Sequence, residues 1–224
     1  HMVDGLGEGL AFALGWVRNP RRVGAIAPAS KALAQAMADE VQRLAPDRLV
    51  EVGAGTGAIT QALARLQLGR ERFQVVERDP GFVRRLHERF PQAEVVHGCA
   101  TRLDRLATDP QASLVIVSSL PLMSMPREET QACVQAMHNL LSHHTDARLL
   151  QYTYAARHVR PFDAPPGWHW RRVTTVWANQ TTRNQAELVG LDHGDTQSVD
   201  DLPPLAGRAV CQGRWQQGLV KPGR

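Results

Sequence analysis

The sequence predicts an α/β fold: a mostly parallel, seven-stranded sheet with helices on both faces and extra helices at the N-terminus. Three observations predict it. Leu49-Val50-Glu51-Val52 is a short apolar run with an acid near its end, and it breaks into Gly53-Ala54-Gly55-Thr56-Gly57. Phe73-Gln74-Val75-Val76-Glu77 is a second such run, again closed by a carboxylate. Further strand-like runs then alternate with helical segments, which calls for crossover connections and parallel pairing.

Each element has its own signal. Over residues 3–19, Leu6, Leu10, Leu14 and Val17 recur at helical spacing, and Phe12 and Trp16 widen the apolar surface. Arg18, Arg21 and Arg22 follow, interrupted by Pro20. Two readings stay open for this segment: a helix packed on the domain, or one lying in a lipid interface with arginines on head groups. Ser30 is placed to cap a helix from Lys31 to about Leu44. Strands are expected near 48–52, 72–77, 93–97, 113–118 and 147–154, and helices near 58–68, 80–90 and 127–142. The runs at 49–52 and 114–117 are apolar without alternation, as central strands covered on both faces should be. Beyond Tyr154 the signal weakens. Arg171 to Ala178 reads as a strand, residues 180–206 as polar and aperiodic, and Arg208 to Trp215 as a last strand. The expected organisation is an amphipathic helix over 3–22, a domain over 23–215 that is atypical from about 180, and a tail over 216–224.

Composition excludes several classes. The chain has 224 residues, a net charge of +4 and an ordinary 43% hydrophobic content, enough for one large domain. No run of about eighteen apolar residues is present, so no helix of the sequence is read as spanning a membrane. Cys99, Cys133 and Cys211 lack paired spacing, which argues against a disulfide framework or zinc site and for a reduced compartment. The nine histidines show no metal-ligand spacing, and no metal is expected. The basic balance permits an anionic partner without selecting lipid or nucleic acid.

Chemistry concentrates at the glycine loop. Gly53, Gly55 and Gly57 let the backbone turn tightly and approach a ligand without Cβ clashes. Thr56 and the amides after it face the start of the next helix, where partial positive charge collects. Glu77 lies 20 residues past Gly57 at a strand end, where a carboxylate can accept both hydroxyls of a ribose. A dehydrogenase has a similar acid, but its loop spacing is Gly-x-Gly-x-x-Gly, and here Glu51 precedes the loop by two residues. An acid at that point suits a cofactor with a charged amino-acid tail. The two acids together narrow the ligand to S-adenosylmethionine.

Several segments then carry a resemblance. They are Val23-Gly24-Ala25-Ile26-Ala27-Pro28-Ala29-Ser30, Glu51 to Gly57, Val76-Glu77-Arg78-Asp79, Phe90-Pro91, Ser119-Leu120-Pro121-Leu122 and Gln151-Tyr152-Thr153-Tyr154. From about Arg22 to Asn179 the chain resembles the class I S-adenosylmethionine-dependent methyltransferases with a Rossmann-like fold. More narrowly it is similar to the bacterial phospholipid N-methyltransferases that methylate phosphatidylethanolamine, which also resemble the ribosomal RNA adenine dimethyltransferases. The resemblance implies a cofactor site of Glu51, Gly53, Gly55, Thr56, Gly57, Glu77, Arg78, Cys99, Ala100 and Ser118. It implies a phospholipid substrate, an anionic membrane surface as partner, and a peripheral location on the cytoplasmic face of the cell membrane.

Two departures stand out. The family usually shows Gly-Asp-Ala after the third strand, its Asp taking the adenine amine, and this chain has Gly98-Cys99-Ala100. A thiol is a poor acceptor, which leaves a non-catalytic relative with weakened cofactor binding as one alternative. From Gln180 onward the family's last strand finds no match.

The acceptor end points away from nucleic acid. Adenine dimethylases use Asn-x-Pro-Tyr or a near variant, whose ring stacks on a base drawn from its stack. Here Leu122 cannot stack and Ser119 is a shorter acceptor, so no nucleic-acid partner is expected. RNA adenine or a small molecule remains the alternative substrate. An apolar lip of Leu120, Pro121, Leu122 and Met123 suits lipid. Ser119, Tyr152 and Tyr154 are the candidate catalytic residues, the tyrosines orienting the amine and holding the methylated cation by cation–π attraction of about 0.5–2 kcal/mol.

Overall fold

A computed structural model of the chain describes residues 28–122, 125–153, 160–177 and 185–194. The first helix among the described residues, α1, spans Pro28–Leu44, starting three residues earlier than predicted. A proline is tolerated in a first turn, where its missing N–H would have had no partner. Strand β1 (Arg48–Val52) follows, and α2 (Ala58–Ala64) opens from Gly57. Helix α2 stops short of the predicted 68, because the chain turns left-handed at Gln67 (φ 53°) and Gly69 (φ 87°).

Next come β2 (Phe73–Glu77), α3 (Pro80–Arg89) and β3 (Glu94–His97). Asp79 caps α3, its carboxylate accepting from the N–H groups of Gly81 (2.7 Å) and Phe82 (3.0 Å), with Pro80 in the first turn. A 3-10 helix over Ala100–Arg105 leads to β4 (Leu114–Ser118), α4 (Arg127–His143) and β5 (Ala147–Thr153). Glu128 and Glu129 complement the positive end of α4. Strands β6 (Trp168–Trp177) and β7 (Gln185–His193) complete a sheet ordered β3-β2-β1-β4-β5-β7-β6. Strands β1 to β5 pair parallel, and β7 runs antiparallel to both β5 and β6. This is the mostly parallel seven-stranded sheet the sequence predicted.

One strand is a correction. It falls at Gln185–His193, inside the stretch read as polar and aperiodic. The expected strand at 208–215 lies outside the described residues, as do the 3–22 helix, the 216–224 tail and Tyr154. Periodicity fails in β7 because both of its faces are covered. Leu188 packs on one face, Val189 and Leu191 on the other, and its acids are buried in partnership. Asp192 accepts from Arg171 Nε at 2.8 Å. Arg171 also reaches Glu40 of α1 at 2.8 Å, and Arg43 grips the same carboxylate. Burial alone would raise the Glu40 pKa, but the hydrogen bonds from Arg43 and Arg171 outweigh it and hold the carboxyl below its ordinary value. One arginine thus ties α1 to the β6–β7 edge.

Two cores flank the sheet. Leu49, Phe73, Val75, Val117 and Leu150 face α1, α2 and α3, whereas Val50, Val52, Ile116 and Leu149 face α4 and the 3-10 helix. Each fully buried aliphatic side chain contributes about 1.5–3 kcal/mol relative to exposure, so these two layers dominate stability.

Candidate cofactor and acceptor site

In strand order, the sheet changes direction between β1 and β4, and ligands of open α/β sheets bind outside the carboxyl ends of the strands at such a point. The chain turns there through Gly53 (φ 75°), Gly55 (φ 55°) and Gly57 (φ 84°), all in the region only glycine enters freely. The three serve different ends. A Cβ on Gly53 would lie 2.8 Å from Leu120 Cδ2, and one on Gly57 would lie 2.7 Å from the Phe90 ring. A Cβ on Gly55 would meet nothing within 4 Å, so that side of the loop faces open space.

Glu77 holds this loop. Its Oε2 accepts from the Gly55 N–H at 2.9 Å, and its Oε1 from the N–H groups of Arg78 (2.9 Å) and Asp79 (2.8 Å). Three of about four lone-pair sites are thereby taken, leaving about one for a ligand hydroxyl. The prediction of two ribose hydroxyls on this acid overlooked the backbone as competitor. Arg89 Nη1 adds a second brace by donating to the Thr56 carbonyl at 2.7 Å.

Glu51 stands apart. It is fully buried, and neither carboxylate oxygen has a hydrogen-bond partner among the described residues. Burial pushes its pKa up to about 8. The nearby Thr60 hydroxyl and N–H oppose that shift, and the Glu77 charge adds to it. An orphaned buried acid beside a glycine loop is suited to a cationic group on a ligand.

Similar orphans recur along the sheet's carboxyl end. The Ser119 hydroxyl, the Gln151 side-chain carbonyl and the Thr153 hydroxyl are all buried without a partner. Native folds satisfy most such atoms, so their collection at the ends of β1, β4 and β5 marks where a ligand supplies what the protein does not.

The other predicted residues divide. Arg78 is exposed, and its guanidinium donates to Glu129 of α4 at 2.5 Å. Cys99 is half-buried and precedes the 3-10 helix, its sulfur accepting from the Thr101 hydroxyl at 3.2 Å. Ala100 is buried in the core. Ser118 is fully buried, its Oγ 3.4 Å from the Leu120 N–H that it receives, so it shapes the turn after β4. Ser119 extends β4 by donating its N–H to the Val52 carbonyl at 2.9 Å. The partly buried Tyr152 ring packs against Leu33 and Val176, between α1 and β6. Leu122 does not belong to an apolar lip: it is 6% exposed, in the core beneath α4. A loop residue two positions past a buried strand is drawn inward when the next helix packs over it. Met123 lies outside the described residues.

Sequence reasoning gave no role to Gln151, Arg89 and Phe90. A signal existed for Gln151, a polar residue within an otherwise apolar strand. Phe90 lay in the Phe90-Pro91 segment of the resemblance without a role being read from it, and no signal existed for Arg89, whose contact with the loop is made only in three dimensions. Among the described residues no group of side chains could hold a metal ion, and no helix is long and apolar enough to cross a membrane.

The sheet order, the glycine loop and its two acids define a class: the Rossmann-like fold of the class I methyltransferases. Residues 49–144 match the profile of a methyltransferase-domain family. Among solved structures, the N-methyltransferase NodS from Bradyrhizobium japonicum, in complex with S-adenosylhomocysteine, superposes with a TM-score of 0.54. It has 14% identity, over 86% of this chain and 100% of that one.

Two relatives are more alike in sequence. An ornithine lipid N-methyltransferase of Singulisphaera acidiphila is 42% identical over 86 residues, 36% of this chain and 44% of its own length. A ribosomal RNA small subunit methyltransferase A of Maridesulfovibrio salexigens is 30% identical over 89 residues, 40% of this chain and 33% of its own. The matches thus span less than half of each relative. The donor set fits S-adenosylmethionine: a buried acid for its ammonium, a carboxylate with capacity for a ribose hydroxyl, and open space above Gly55.

Proposed function

We propose that this chain methylates the amine of phosphatidylethanolamine, and of its mono- and dimethylated forms, at a membrane surface. The supporting observation is the loop after β4. Among its described residues, Ser119, Leu120 and Pro121 offer a small acceptor and an apolar surface, with no aromatic ring to stack on a base. The match to an ornithine lipid N-methyltransferase, an enzyme named for an aminolipid, points the same way.

When bound, S-adenosylmethionine supplies an electrophilic methyl on a sulfonium. The chain's own task is to align an amine with that methyl and to exclude water. Glu51 would hold the cofactor's ammonium, and Glu77, braced by the Gly55 N–H, would hold a ribose hydroxyl. Tyr154 would orient the amine, joined by Ser119 on the β4 loop. Tyr152 is given a lesser part, since its ring packs on α1. A lipid ammonium titrates near the lysine range, so it must shed a proton before attack. Residues 3–22 would rest on the cytoplasmic membrane face, Arg18, Arg21 and Arg22 each contributing about 1 kcal/mol on anionic lipid.

A second reading is favoured by the ribosomal RNA relative: transfer to an adenine amine. One experiment decides between them. The protein is incubated with methyl-labelled cofactor, mixed phospholipids including phosphatidylethanolamine and ornithine lipid, and RNA, and the fractions are separated. Label is expected in phosphatidylethanolamine. Label in ornithine lipid alone would reassign the head group, and label in RNA alone would overturn the lipid reading. Removing residues 3–19 is expected to abolish binding to anionic liposomes, and unchanged binding would refute the interfacial role.

A further inference from the structure

Gln151 sits on β5 opposite Ser118 of β4, at the carboxyl end of the sheet. It is 2% exposed. Its Nε2 donates to the Leu120 carbonyl at 3.2 Å and to the Tyr152 carbonyl at 3.3 Å. These contacts fix the amide's orientation, since a flipped amide would set Oε1 against two oxygens. Oε1 is therefore the free end, buried and without a donor. Leu120, which receives the amide, lies against Gly53 of the cofactor loop. The neighbouring Ser119 hydroxyl is likewise buried and unpartnered. Two acceptors with no donor among the described residues thus stand near the cofactor's acid, Glu51 of β1: Ser119 one strand over, after β4, and Gln151 two strands over, on β5.

Their chemistry differs from that of Glu51. A carboxylate stabilises an ammonium, whose nitrogen has no lone pair to offer. A neutral carbonyl accepts an N–H while favouring the charged form far less, which suits an amine that must attack as the free base.

We propose that the Gln151 side-chain carbonyl accepts an N–H of the substrate amine, with the Ser119 hydroxyl as second acceptor, and so aims the nitrogen lone pair. This rests on the aminolipid reading above. In the step so aligned, the lone pair forms the new N–C bond. The methyl–sulfur bond breaks with its electron pair left on sulfur, and the surplus amine proton leaves to solvent. A free primary amine offers two N–H groups, its monomethyl form one and its dimethyl form none. The contribution of Gln151 therefore declines with each methylation, which bracing of a loop would not do.

The test compares the full chain with Gln151→Met. Vesicles combine phosphatidylglycerol with phosphatidylethanolamine, its monomethyl form or its dimethyl form. The variant is expected to slow transfer to phosphatidylethanolamine about 30-fold and transfer to the dimethyl lipid less than about threefold, with S-adenosylhomocysteine affinity unchanged. An equal loss on all three lipids overturns the inference and leaves Gln151 as a brace for Leu120. A matching loss of S-adenosylhomocysteine affinity overturns it too, assigning the side chain to the cofactor.

A measurement on the unaltered protein covers a variant that fails to fold. With S-adenosylhomocysteine bound, the Gln151 side-chain amide resonance is expected to shift with glycerophosphoethanolamine but not with glycerophosphocholine, which has no N–H. Absence of a shift overturns the inference. If the unaltered protein labels none of the three lipids, the aminolipid reading and this inference fall together; a flat profile removes this inference alone.

Discussion

The β1–β2 side of the crevice and the β4–β5 side are prepared differently. On the first, the loop satisfies itself: Glu77 takes three backbone N–H groups, Asp79 caps α3 and Arg89 closes on Thr56. Among the described residues, Glu51 and the Thr60 hydroxyl beside it are left open there, and only Glu51 is ionisable. On the second, Ser119, Gln151 and Thr153 all keep buried atoms without partners, and the flanking sheet is held from 131 residues away by Arg171 and Glu40. The cofactor side is a local construction with one charged opening. The acceptor side is a long-range construction with several neutral ones.

The sharpest way to break this contrast is at its long-range tie. Arg171→Ala leaves Glu40 buried with Arg43 as its partner, and it frees Asp192 from its closest cation. A loss of about 3 kcal/mol is expected, at the low end for breaking a buried pair because Arg43 stays. Urea unfolding measures it, and a loss below about 1 kcal/mol would make the edge independent of α1. At the local end, Gly57→Ala places a Cβ 2.7 Å from the Phe90 ring at a φ of 84°. The expected cost is about 2 kcal/mol, with cofactor affinity falling alongside.

Glu51 tests the charged opening on the cofactor side. Its folded pKa of about 8 lies above the ordinary carboxylate value. Between about pH 4.3 and 8 the unfolded chain releases a proton that the fold retains, so stability should fall as pH rises through that window. Glu51→Gln should flatten that slope while weakening the cofactor. Cofactor binding in turn should release protons, tightening by up to about tenfold per pH unit towards pH 8. Calorimetry in buffers of different ionisation enthalpy reads the protons directly, and none released would mean that Glu51 does not meet the ammonium. The smallest effect belongs to Arg78→Ala. Its pair with Glu129 is exposed, so stability should change by less than about 1 kcal/mol. A large loss of cofactor affinity would show that Arg78 does more than pair with α4.

Legibility followed the same divide. The first five strands, their helices and the glycine loop were readable because apolar runs and glycine spacing are local patterns. Strand β7 was not, because Glu187, Gly190 and Asp192 interrupt its apolar run, and their burial depends on partners elsewhere. Leu122 looked like a surface residue until α4 covered it.

Sequence alone determined the α/β class, the position of the cofactor loop and the two acids beside it, since strand ends and φ-permissive turns are written in neighbouring residues. Only the tertiary structure decided how those acids divide their work. Glu77 is occupied by backbone donors because the loop folds back over it, and Glu51 is left bare because no donor on α2 reaches it with good geometry. It likewise decided that a glutamine in a strand keeps a buried carbonyl with no donor among the described residues. Such an atom is visible only in three dimensions, because its partners come from other strands and loops.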